Sequence, residues 1–167
     1  MRITSREANK LLQRLKEDLS ILCVEEEKKK TFLAAVGEDV ETCRPNYDFV
    51  KMQEAKEALE NKIVKIKHEL NLFNIKTEVP GFNMTIDQML VYIPQLTQRK
   101  RKFSEMLDAI PKQRDSAYIR SNVIDYRYLN YDLNDVRKKY DEVNELLSKA
   151  QIALDKTNNE KYIDIDL

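Results

Sequence analysis

The stretch LNDVRKKYDEVNELLSKAQIALDKT, residues 133–157, decides the fold. Leu133, Val136, Tyr140, Val143, Leu147, Ala150 and Leu154 recur at alternating steps of three and four, a seven-residue repeat that winds one apolar seam down an α-helix. Charged and amide side chains fill the positions between them and form a solvated outer face. Asp132 stands in front as an N-cap, and Asn158 and Asn159 punctuate the end.

Three further seams lie upstream. Ile86, Met89, Ile93, Leu96, Phe103, Leu107 and Ile110 predict a helix over 86–110, opened by Thr85 and Gln88 at capping-box spacing and interrupted by Lys100. Pro94 falls well inside it and removes one backbone hydrogen bond, which predicts a bend. Phe49, Met52, Leu59, Ile63, Ile66, Leu70 and Phe73 predict a helix over 47–73, interrupted by Lys56. Ala8, Leu12, Leu15, Leu19 and Leu22, resuming at Leu33 and Val36, predict a helix over 5–36 that opens on a Thr4–Glu7 capping box and stops at Gly37. Glu26 and Lys29 sit on this first seam. That turn either protrudes past its partner or pairs with charge on it, and a solvated turn is the expectation.

The polar stretch from Glu38 to Pro45 joins the first two helices into a long antiparallel hairpin. Three segments read as extended. Near 74–84, Ile75, Thr77 and Val79 alternate ahead of Pro80 and Gly81. Residues 114–131 are dense in tyrosine and β-branched residues, and 162–167 alternate apolar with acidic side chains. The reading is a mainly all-α chain, one helical domain over 1–167 in which long hairpins make a coiled-coil-like four-helix bundle.

Composition narrows the function. The chain has 167 residues, with 29 basic and 29 acidic side chains, so no overall field draws it to nucleic acid or an anionic membrane. Only 2 Gly and 4 Pro accompany 35% charged residues, the balance of solvated helices. Cys23 and Cys43 with the single His68 cannot build a Cys/His zinc site. Cys23 reads as a small core hydrophobe, Cys43 as a free thiol in a polar loop, and His68 as a solvated side chain off the seam. With no charged-then-apolar leader and no apolar run near the ~20 residues of a membrane span, the expected location is the cytoplasm.

The order of markers resembles a bacterial family of helical proteins labelled septicolysin-like. The matching elements are Asn71 and Asn74 closing the second helix, Thr85 capping the third, Arg120 with Ser121 in the extended segment, Asp132 capping the fourth, and Asn158 after it. Asn122 stands where that family's pattern has an acid, and Asn159 where it has a tryptophan. The resemblance implies a compact helical assembly with no established activity; the residues themselves give no expectation of a cofactor.

Function is expected in one place. Asn71, Asn74, Arg120, Ser121, Tyr126, Arg127 and Tyr128 form a candidate polar junction, with Arg120 held by a carboxylate or by helix-end carbonyls. The leading expectation is a non-enzymatic, self-associating scaffold or interaction protein, a homo-oligomer with a dimer as first guess, open to a further protein partner. A second is single-stranded nucleic-acid binding through Arg99, Lys100, Arg101 and Lys102 and the Tyr/Arg-rich segment 118–131, although four consecutive helical residues point four ways. A third is an enzyme with a polar site around Arg120, Tyr126, Asn71 and Asp125. No GxSxG, phosphate-binding glycine loop or histidine pair supports it.

Overall fold

The computed structural model describes residues 1–114 and 124–166. Their order is β1 (Arg2–Thr4), α1 (Ser5–Lys29), α2 (Val40–Cys43), α3 (Phe49–Lys76), β2 (Glu78–Val79), β3 (Met84–Thr85), α4 (Ile86–Leu107), β4 (Lys112–Arg114), β5 (Tyr126–Tyr128), α5 (Leu133–Glu160) and β6 (Tyr162–Asp164). The chain is mainly helical, as the four seams require. It divides into two compact units, Met1–Thr77 with Thr157–Leu167, and Glu78–Lys156.

In the first unit α1 and α3 pack as an antiparallel hairpin. Its core gathers Ala8, Ile66, Leu70, Ile163 and Ile165, flanked by Ile3, Leu11, Leu12, Leu15 and Phe73. The alternation read at the C-terminal tail is a strand, and its partner is β1: Arg2 faces Asp164, Ile3 faces Ile163 and Thr4 faces Tyr162 in an antiparallel register. The period of two turns Ile163 and Ile165 inward onto α1 and α3 while Tyr162 and Asp164 stay in water. Arg2 lies over the Tyr162 ring at 5.1 Å. Thr4 ends β1 and caps α1 in the same residue, its side chain accepting from the Glu7 amide at 3.2 Å and the Glu7 carboxylate accepting from the Thr4 amide at 2.8 Å.

Two helix ends in this unit differ from the sequence reading. Helix α1 ends at Lys29, not 36, because the charged block from Glu25 to Lys30 leads to Leu33 and Val36, which pack on nothing. Without a buried face to hold it, a helix that short of partners does not propagate. Helix α3 runs on to Lys76, so Asn71 and Asn74 lie inside it and do not close it. Leu70 and Phe73 anchor that last turn to the core, and the cap is the extended Thr77, whose amide reaches the Phe73 carbonyl at 2.9 Å.

In the second unit β2 and β3 form a hairpin, Glu78 facing Thr85 and Val79 facing Met84. Its loop needs positive φ at Gly81 (87°) and Asn83 (49°), the two residue types that tolerate it best. Thr85 caps α4 by the expected box with Gln88. Helix α4 continues through Pro94 to Leu107 and buries Ile86, Met89 and Leu96; the expected last seam residue, Ile110, lies past its end and is exposed. Helix α5 buries Val136, Leu147, Ala150 and Leu154, as its seam dictates, and Asp132 caps it by accepting from the Asn134 amide at 2.6 Å. Tyr131 donates to the Met106 carbonyl at 2.9 Å and ties the start of α5 to the end of α4.

Candidate functional site

Polar chemistry gathers in two places, one per unit. In the first, the interruptions of two seams meet. Glu26 of α1 accepts from Lys56 at 2.7 Å, from Gln53 at 2.6 Å and from the Tyr47 hydroxyl at 3.2 Å. The Glu26 and Lys56 side chains are each 19% exposed, so the expected solvated turn is corrected: this is a shielded ion pair inside the hairpin. Lys29, the second charge on the seam, pairs with Glu25 at 2.6 Å. The hydrogen bond from Lys56 holds the Glu26 carboxyl below its ordinary range, and the same bond raises Lys56. Burial, then the bond to Glu26, raises the Tyr47 phenol. Three donors converge on one carboxylate and, among the described residues, no buried side-chain polar atom lacks a partner, an arrangement suited to fixing helix register. Sequence reasoning missed Tyr47 and Gln53. A signal existed, since Glu26 and Lys56 are equidistant from Glu41 in the connection between the helices.

The second place is the ribbon β4–β5. Lys112 faces Tyr128, Gln113 faces Arg127 and Arg114 faces Tyr126. Cross-strand partners share a face, so Lys112, Arg114, Tyr126 and Tyr128 lie together. The Lys112 ammonium stands 4.4 Å from the centre of the Tyr126 ring and 5.6 Å from that of Tyr128, and the two rings are 6.5 Å apart and tilted by 50°. All four side chains are exposed. The Leu129 amide bonds the Pro111 carbonyl at 3.3 Å and extends the ribbon by one step toward the helices.

The remaining expected residues are distributed as follows. Arg120 and Ser121 lie outside the described residues. Asn71 is exposed and Asn74 half-buried on α3 in the first unit, whereas Asp125, Tyr126, Arg127 and Tyr128 belong to the second. The basic run on α4 is divided by its geometry. Lys100 points over the Tyr140 ring of α5 at 5.9 Å, Arg101 pairs with Glu105 at 3.6 Å, and Arg99 and Lys102 line a concavity of about 450 Å³ with Phe103, Lys139, Glu142 and Leu146. Cys23 is exposed, not a core residue; Cys43 is half-buried with its thiol 3.6 Å from the Glu38 carboxylate, and both are free. His68 is exposed, as read. Among the described residues no group of three or more His, Cys, Asp or Glu is placed to hold a metal ion, and no helix is long and apolar enough to cross a membrane.

No family model and no curated protein sequence matches the chain. Among solved structures it is similar to a functionally unknown conserved protein from Corynebacterium diphtheriae, with a TM-score of 0.66 and 16% identity, covering 98% of this chain and 100% of that one. The likeness is one of fold. At that identity it extends the mainly helical architecture to a second protein and carries no activity from one to the other.

Proposed function

We propose that the protein is a non-enzymatic, self-associating helical scaffold or interaction protein, with a dimer as the simplest assembly and room for a further protein partner. The observation that carries this reading is surface area. The chain exposes 12914 Å². A single globule of its mass should expose about 8,600 Å², and two separate globules of half that mass about 10,400 Å². The surplus over even the second figure, about 2,500 Å² per chain, is at the upper end of the roughly 1,000 to 2,500 Å² that each partner of an obligate homodimer removes from water.

Large apolar side chains contribute to that exposure. Leu33 and Val36 are 96% and 108% exposed, and Val40, Phe49 and Val50 in or beside the same connection are exposed as well. Such residues gathered at one end of a hairpin mark an association surface. Association also supplies what a two-helix hairpin lacks, a second flank for its seams, which is how a coiled-coil-like four-helix bundle would be completed. The free thiols suit a reducing cytoplasm. The resemblance to septicolysin-like proteins agrees with a helical assembly without catalysis.

Molar mass in dilute solution tests the proposal. A mass of two chains or more is the expected result, and one chain at every concentration overturns it.

A further inference from the structure

We propose that the face of the β4–β5 ribbon carrying Lys112, Arg114, Tyr126 and Tyr128 binds single-stranded nucleic acid. The register puts two cations and two phenol rings on one face, with no carboxylate among the four positions. Asp125 precedes β5 and is not one of its paired positions, while Gln113 and Arg127 pair on the opposite side. Tyr126 and Tyr128 are 46% and 61% accessible, which leaves ring surface on which a base can stack.

The ring spacing suits an extended strand. Centres 6.5 Å apart lie at about twice the 3.4 Å rise per nucleotide of one duplex strand, so each ring can take a base whose neighbour has been unstacked. Lys112, held between the rings at 4.4 and 5.6 Å, is then placed to meet the phosphate that links the two nucleotides, and Arg114 two pairs further along on the same face meets the next. Paired bases do not offer the ring faces this arrangement reads, which excludes duplex as the preferred ligand. The surface is independent of the proposed self-association, because it uses none of the residues at the α1–α3 connection.

The test is fluorescence anisotropy of the full chain with a labelled oligothymidylate of about 12 nucleotides, at about 50 mM and about 200 mM salt. Binding at the lower salt is expected. Tyr126→Ala with Tyr128→Ala should weaken it at least about tenfold, while Tyr126→Phe with Tyr128→Phe, which keeps both ring faces, should stay within about twofold. Lys112→Gln with Arg114→Gln should flatten the plot of log affinity against log salt by about 1.4, or 0.7 for each phosphate released. Circular dichroism of each variant checks that the helices are retained, and the phenylalanine and glutamine pairs decide the matter if the alanine pair unfolds. Absence of binding at the lower salt overturns the proposal. So does equal affinity of the folded alanine pair, a preference for duplex of the same length, or binding to phosphatidylserine vesicles in place of the oligonucleotide.

Discussion

Glu26 on α1 and Lys56 on α3, each the charge that breaks an otherwise apolar seam, face one another at 2.7 Å across the hairpin. Gln53 and Tyr47 complete the carboxylate's partners, so the pair is shielded without leaving a buried side-chain polar atom unpaired. Slipping either helix by one turn would separate the two charges by about 5.4 Å along the axis and break the pair. The pair therefore sets register, as a polar residue at a seam position does in a coiled coil.

The pair gives stability a two-sided pH dependence. Glu26 is lowered from its ordinary 4.5, chiefly by the hydrogen bond from Lys56, so its contribution is intact above that value and is lost as pH falls through the lower folded-state value. Lys56 is raised from 10.5, chiefly by its bond to Glu26, so its contribution is intact below 10.5 and is lost as pH rises through the higher folded-state value. Tyr47, raised from 10.0 by burial and then by Glu26, adds to the alkaline side in the same sense. Thermal melts of the parent should decline on both flanks more steeply than those of a Glu26→Gln, Lys56→Met double variant. Parallel profiles for the two proteins would show that the pair contributes nothing to linkage.

Core packing was the most legible property of the chain. The seven-residue repeat located the burial of Val136, Leu147, Ala150 and Leu154 because amphipathic spacing is a local signal. The ends of helices were less so. Leu33 and Val36 fall on the period of the first seam, but period alone does not reveal that no partner surface waits beyond Lys30. The Asn71–Asn74 spacing resembles a stop, and the buried Leu70 and half-buried Phe73 beside it override that preference. The ribbon was legible only as composition: tyrosine and arginine in density suggest strand, but that Lys112 faces Tyr128 is a non-local pairing set by register. The β1 partner of the tail was hidden for the same reason, with Thr4 and Tyr162 at opposite ends of the chain.

Leu147→Ala should cost about 2 to 5 kcal/mol in equilibrium unfolding, since Leu147 is 7% exposed and its removal leaves a cavity among α5's buried neighbours. Ile152→Ala on the same helix, at a position 65% exposed, should change stability by no more than about 0.5 kcal/mol. Similar losses at both positions would mean that the seam does not define the buried face.

Ile165→Ala should destabilise the first unit by about 2 to 5 kcal/mol, although it lies beyond every helix. Its side chain is 1% exposed and belongs to the core that Ala8, Ile66 and Leu70 form. Native-state hydrogen exchange should show α1 and α3 amides losing protection together in this variant. Protection unchanged in both helices would make the β1–β6 pair an ornament of the chain ends.

Cys23 should react with an aromatic disulfide reagent in the folded protein, and Cys43, half-buried beside the Glu38 carboxylate, more slowly. Cys23→Ser should abolish the fast phase. A fast phase that survives this substitution, or two thiols that react only in denaturant, would return Cys23 to the core.

The most direct measurement is molar mass by sedimentation equilibrium, from the low micromolar range upward, on the parent and on a Leu33→Ser, Val36→Ser variant. Self-association predicts at least twice the chain mass of 19.8 kDa for the parent, and a shift toward one chain for the variant with its helical signal unchanged. A parent mass of 19.8 kDa at every concentration would contradict it.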